Sequence, residues 1–169
     1  SNLYAIDATT GKERWRVDNA GSWVVASPAV ARGRVYYATS DSSLYLVVDA
    51  ARGEPVVRRD SRAYVFSSPV VAGDVVLLGV LNGTLEARDA ETGDLLWEFR
   101  TEASRRNEGW ILTADRRFNA PLLFRSSWRE APIVASVRQS DVGAVYATPL
   151  VVDGVVYVGS ADGRLYALE

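Results

Sequence analysis

The chain has no cysteine and no histidine among its 169 residues. Without thiols it can form no disulfide, no thiolate metal site and no thiolate nucleophile. Without imidazole it lacks the commonest general base and nitrogen ligand. Carboxylates remain, so an oxygen-ligand cation site or a carboxylate acid/base pair is the only such chemistry left open. No stretch approaches 18 uninterrupted apolar residues, and no membrane-spanning helix is expected. No signal peptide opens the chain, though a mature or excised protein would have shed one. The formal net charge of −2 gives no field that would recruit nucleic acid or an anionic membrane. The length suits one domain with a real core.

What is present is repetition. Ala5–Trp15 and Ala87–Trp97 both read Ala-x-Asp-x-x-Thr-Gly-x-x-x-Trp, 82 residues apart. A second phrase, Ser or Thr, then Pro and valines, recurs around Pro28, Pro69 and Pro149. A third joins two apolar runs through a small turn, with leucines aligned at Leu3, Leu44, Leu85 and Leu165. The gaps of 41, 41 and 80 set a period near 40, with one copy degenerate or replaced between about residues 101 and 147. Such a period marks a repeat architecture.

Within a unit the pattern predicts strands. VVLLGV and VVYVGS are short, β-branched and bounded by glycine-containing turns. LNGT and SADGR carry Asn-Gly and Asp-Gly, which accept the positive φ of tight hairpins. The Asp-x-x-Thr-Gly piece predicts the next turn, with Asp accepting amide hydrogens and Gly taking the left-handed position. KERWRV and LLWEFR alternate apolar and charged residues, as an outer strand with one wet face does. Four antiparallel strands per unit, covered on both faces, describe a β-propeller blade; a solenoid is the rival and would not need the amphipathic outer strand.

Ala5, Asp7, Gly11 and Trp15, with Ala87, Asp89, Gly93 and Trp97, resemble the tryptophan-docking motif of quinoprotein-like (PQQ-like) β-propellers. The copy between them keeps Asp49 and Gly53 but has Val47 and Val57 where the others have Ala and Trp. The resemblance implies that each Trp docks against the neighbouring blade. It also implies that quinoprotein dehydrogenases of this fold hold pyrroloquinoline quinone over calcium, often beneath a vicinal disulfide. Here that disulfide is impossible, and no residue constellation carries over. The non-enzymatic members look closer: the propeller lipoprotein of outer-membrane assembly and the sensor propellers of bacterial kinases. The resemblance thus implies a non-catalytic scaffold, outside the cytoplasm, with no cofactor of its own. A fragment of a quinoprotein dehydrogenase is the alternative.

The expected fold class is all-β, a PQQ-like propeller of about four blades, part or half of a larger, eight-bladed wheel. The expected units are a partial blade at 1–26, blades at 27–66 and 67–107, a degenerate blade at 108–146 and a partial blade at 147–169. In the degenerate unit, PLLFRSS and PIVASVRQ read as strands joined by a turn around WREA, after a long connection near ASRRNEG. From Thr101 to Asp141 seven Arg face five acids. Arg and Trp are enriched where proteins bind one another, so Arg105, Arg106, Trp110, Arg116, Arg117, Trp128 and Arg129 are the candidate partner contacts. The plainer reading is that these aromatics pack the blade and the Arg pair with acids. The expected partner is another protein, or a second copy that completes the ring; nucleic acid is not expected.

Overall fold

The computed structural model describes residues 1–123 and 131–169. The first sheet pairs β1 (Asn2–Ile6) with β2 (Glu13–Asp18). The second runs in the order β3 (Ala29–Ala31), β4 (Arg34–Ala38), β5 (Leu44–Asp49), β6 (Pro55–Asp60). The third repeats it with β7 (Val70–Ala72), β8 (Val75–Val80), β9 (Thr84–Asp89) and β10 (Leu95–Arg100). The fourth holds β11 (Leu150–Val152), β12 (Val155–Gly159) and β13 (Leu165–Leu168). Every pairing is antiparallel between chain neighbours. This is the strand order of propeller blades.

The sheets stack face to face, and each junction is a separate core. Leu3, Val35, Tyr37 and Val48 join the first sheet to the second. Tyr36, Tyr45, Val47, Val76, Leu78 and Val80 join the second to the third. Leu77, Leu85, Ala87, Val156 and Val158 join the third directly to the fourth. Middle strands are therefore covered on both sides, which is why β4, β5, β8 and β9 are almost wholly buried.

Two expectations are corrected. The degenerate blade over 108–146 is not a blade. The third and fourth sheets pack directly on each other. The segment instead leaves β10 as an insertion with α1 (Glu102–Arg106), α2 (Ala120–Leu123) and α3 (Ala131–Asp141). PIVASVRQ is thus helical, as is the start of PLLFRSS, and the connection near ASRRNEG contains a helix; the expected turn at 128–130 lies outside the described residues. Pro121 and Pro132 each stand second in a helix, where a fixed φ fits and no amide is needed. Ile133 and Val137, within the expected strand, fall four apart on the exposed side of α3. The second correction is one of register. Tyr45, not Leu44, matches Leu85 and Leu165, because it pairs with Ala38 as they pair with Gly79 and Gly159. The turn before β5 is one residue longer, which an even count of 41 concealed.

The insertion is pinned at its base. Thr101 Oγ1 caps α1 by accepting from Ser104 N at 3.1 Å and donates to the Val142 carbonyl at 3.1 Å. Ser104 Oγ donates to the Asn82 carbonyl at 2.7 Å, and Asn107 Nδ2 to the Asp141 carbonyl at 2.9 Å. Ile111, Leu112 and Val142 form a small core of its own.

The turn glycines do unequal work. Gly33 has φ +69° with open space around the missing Cβ, whereas a Cβ on Gly53 (φ +73°) would lie 2.7 Å from the Trp15 ring. Gly33→Ala should therefore cost only the left-handed backbone term, about 1–2 kcal/mol. Gly53→Ala should add about 1–3 kcal/mol of overpacking. Urea unfolding of the two variants measures the difference.

Candidate functional site

Three turns follow one pattern. Asp7, Asp49 and Asp89 each accept two turn amides on Oδ1 at 2.7–3.1 Å. Gly11, Gly53 and Gly93 close them with φ of 68°, 73° and 73°. Arg14 and the turn groups of Thr10 hold the Asp7 carboxyl at about 2, well below its usual range. The Trp15 ring lies on Gly53 of the next sheet, and its Nε1 donates to the Ala50 carbonyl at 3.0 Å. Val57 occupies the same place over Gly93. It brings no N–H, and Arg34 Nη1 fills that role, donating to the carbonyls of Ala90 at 3.3 Å and Glu91 at 2.9 Å. Ala5 and Ala87 pair across their sheets with Trp15 and Trp97. Trp97 is 41% exposed and borders a cleft with Phe99, Val156 and Leu168.

Between the second and third sheets the apolar layer gives way to charge. Glu86 is 1% exposed and Arg88 4%. Arg88 holds Glu86 Oε2 through Nε at 2.8 Å and Nη2 at 2.7 Å, donates to the carbonyls of Gly93 and Asp60, and lies 5.5 Å above the Tyr45 ring. Burial raises the Glu86 carboxyl, opposed by Arg88. Glu98 stands directly across from Glu86, a like-charge pair that needs cations around it. Arg62 supplies one at 2.9 Å and Arg116 of the insertion another. Arg117 binds Asp60, Asn82 Nδ2 donates to the Arg116 carbonyl at 3.1 Å, and Phe118 packs 6.2 Å from the Tyr64 ring. The segment Arg116–Phe118 thus lies across the seam between two sheets.

The sequence singled out Arg116 and Arg117, and the structure pairs both with these acids, Arg116 mostly buried on Glu98 and Arg117 at the surface with Asp60. Arg105 donates to the Arg100 carbonyl at 2.8 Å and lies over Phe99; Arg106 faces Glu102 at 4.0 Å. Trp110 is 52% exposed, with Arg138 stacked at 4.9 Å. Trp128 and Arg129 lie outside the described residues. Ile133 and Val137 on α3 are 67% and 53% exposed. Reasoning from sequence missed Glu86 and Arg88. Their signal is TLEARD itself, which places two charges where β5 has Leu46 and Val48. Among the described residues, no three acidic side chains gather as a metal site would require.

The family model described as outer membrane protein assembly factor BamB matches residues 1–117. The chain belongs to that family. BamB of Yersinia pestis is 25% identical over 190 residues, covering 98% of this chain and 48% of its own. The dehydrogenase subunit of the quinone alcohol dehydrogenase of Acetobacter aceti is 29% identical over 202 residues, covering 96% of this chain and 25% of its own. The crystal structure of BamB from Moraxella catarrhalis matches with a TM-score of 0.67 at 22% identity, over 99% of this chain and 39% of that one. The fold is therefore that of the PQQ-like propellers. The chain spans about half the length of the BamB relatives it matches.

The buried pair can be tested against the protein's own repeat. Glu86→Ala leaves Arg88 buried and unpaired and should cost about 3–5 kcal/mol. Glu86→Leu with Arg88→Val copies Leu46 and Val48 and should return stability to within about 1 kcal/mol of the starting protein or above it. Denaturant titration of both variants reads the outcome.

Proposed function

We propose that this chain acts as a non-catalytic propeller scaffold that holds protein partners during outer-membrane protein assembly, on the periplasmic side. Family membership supports the reading. The observation that carries it is the insertion: Arg116 and Arg117 are taken up by Glu98 and Asp60 of the sheets, while Trp110, Ile133 and Val137 stay open to solvent. Large apolar side chains held out from a well-pinned segment are interface material. The insertion emerges from the connection after β10, on the rim where the 23–28 connection carries Trp23, 65% exposed. A photo-crosslinking residue at Ile133 should label a protein of the outer-membrane assembly machinery in cells, and Ile133→Asp with Val137→Asp should abolish the label without lowering the melting temperature. The rival reading, a piece of a quinone-dependent dehydrogenase, draws on the Acetobacter aceti similarity. Saturable binding of pyrroloquinoline quinone with calcium would replace the scaffold reading with that one.

We propose also that a further sheet covers the outer face of the fourth sheet. Leu150, Tyr157 and Leu165 are 59%, 37% and 74% exposed there. Each earlier sheet uses the same face to pack on its successor. In a pure solution the sheet available is that of a second copy. Light scattering across a concentration series should show a dimer that Leu165→Arg dissociates.

A further inference from the structure

The seam between the second and third sheets has a counterpart between the first and second, and the repeat lets the two be compared position by position. Tyr64 and Trp23 match, because their carbonyls accept from Leu81 N and Ser40 N at 2.9 and 2.8 Å. Asp60 and Asp18 match: each ends a fourth strand and accepts on Oδ1 from the amide two residues on, at 2.8 and 2.9 Å. Those amides belong to Arg62 and Ala20, both with positive φ. Glu98 and Arg58 match, since Glu98 pairs with Glu86 and Arg58 with Leu46.

At the later seam every one of these positions is occupied by the insertion: Arg116 on Glu98, Arg117 on Asp60, Phe118 on Tyr64. At the earlier seam no described residue occupies them. Trp23 is 65% exposed, yet its backbone is fixed on both sides, its amide donating to Asp41 Oδ1 at 3.0 Å and its carbonyl accepting from Ser40. Asp18 and Arg58 have no ion-pair partner among the described residues. Both line one cleft with Asn19, Ala20 and Ser22. Asn19 accepts from the Tyr37 hydroxyl at 3.1 Å, and its buried Nδ2 has no hydrogen-bond partner among the described residues.

We infer that this cleft binds a short segment of a partner protein that reads acidic residue, basic residue, aromatic residue. The insertion supplies the binding mode, and the changed charges supply the specificity. The first position faces Arg58 and Ala20 in place of Glu98 and Arg62, so it takes a carboxylate where the insertion has Arg116. The second faces Asp18 as Arg117 faces Asp60, and takes a cation. The third rests on Trp23 as Phe118 rests on Tyr64, where aromatic pairs prefer tilted or offset contact. This partner chemistry rests on the scaffold reading.

The test uses two peptides spanning residues 113–119, one with the natural sequence and one carrying Arg116→Glu, titrated calorimetrically into the 169-residue protein. The Arg116→Glu peptide should bind about ten-fold more tightly, the size of one well-placed charge reversal. Trp23→Ala or Asp18→Asn, both at exposed positions, should weaken it about ten-fold with an unchanged melting temperature. Arg58→Glu should invert the preference between the peptides. Equal affinities, indifference to Trp23→Ala, no inversion by Arg58→Glu, or no binding of either peptide at millimolar concentration would overturn the proposal. Those failures leave the crosslink at Ile133 untouched, so loss of the cleft and loss of the scaffold reading are told apart.

Discussion

Everything in this structure rests on sheets burying one another face to face. A single two-, three- or four-stranded sheet of this size has no interior, and it becomes stable only when neighbours cover both of its sides. The first two junctions are fastened at the outer edge by a side chain of one fourth strand lying on the turn glycine of the next sheet. Trp15 does this with a ring and a hydrogen bond to Ala50. Where the ring is missing, Val57 supplies the contact and Arg34 supplies the hydrogen bond. The two functions of one tryptophan are here divided between two residues.

The charged layer at Glu86 and Arg88 is a second solution to the same packing problem, and a costly one. Desolvating a carboxylate and a guanidinium is offset only when nearly all of their hydrogen-bonding capacity is met. Here Arg88 reaches a carboxylate, two carbonyls and an aromatic face. What the layer offers in return is a binding site for the insertion. Glu98, placed opposite Glu86, needs a cation beside it, and Arg116 provides one from a segment that would otherwise have only its small core and its pinned base to hold it. The polar seam and the insertion therefore support one another: Arg116 joins Arg62 on Glu98, and Glu98 in turn anchors the insertion.

The repeat, the strand order and the turn chemistry were legible because each is written several times in the sequence. Asp7, Asp49 and Asp89 sit on identical turns, and three copies average out local accidents. The insertion was not legible for the converse reason. It occurs once, occupies about the length of one unit, and holds β-branched residues such as Ile133, Val134 and Val137 whose preference is for strands, although they form a helix here. Length invited the reading of a worn blade, and only the direct packing of Leu85 and Ala87 on Val156 and Val158 excludes it. The error at Leu44 has the same root. A period counted in residues slips when a turn gains one, whereas the aspartate that closes each third strand does not. The charged seam was written in TLEARD, and it becomes visible once that strand is aligned on its aspartate.

Repetition also changes how an unoccupied surface can be read. In a protein with one copy of each element, an exposed tryptophan says little, because single apolar residues are common on surfaces. Here Trp23 has a counterpart at Tyr64, and the counterpart is covered. The difference between the two sites is confined to a few residues, Arg58 for Glu98 and Ala20 for Arg62 among them, and each difference alters one feature of the segment that would fit. Divergence between repeats after the fold is fixed leaves the backbone sites in place and changes the side chains they carry. The later seam keeps its segment within the chain, and the earlier one presents the same frame, with Arg58 for Glu98, Ala20 for Arg62 and Asp41 for Asn82, to another protein.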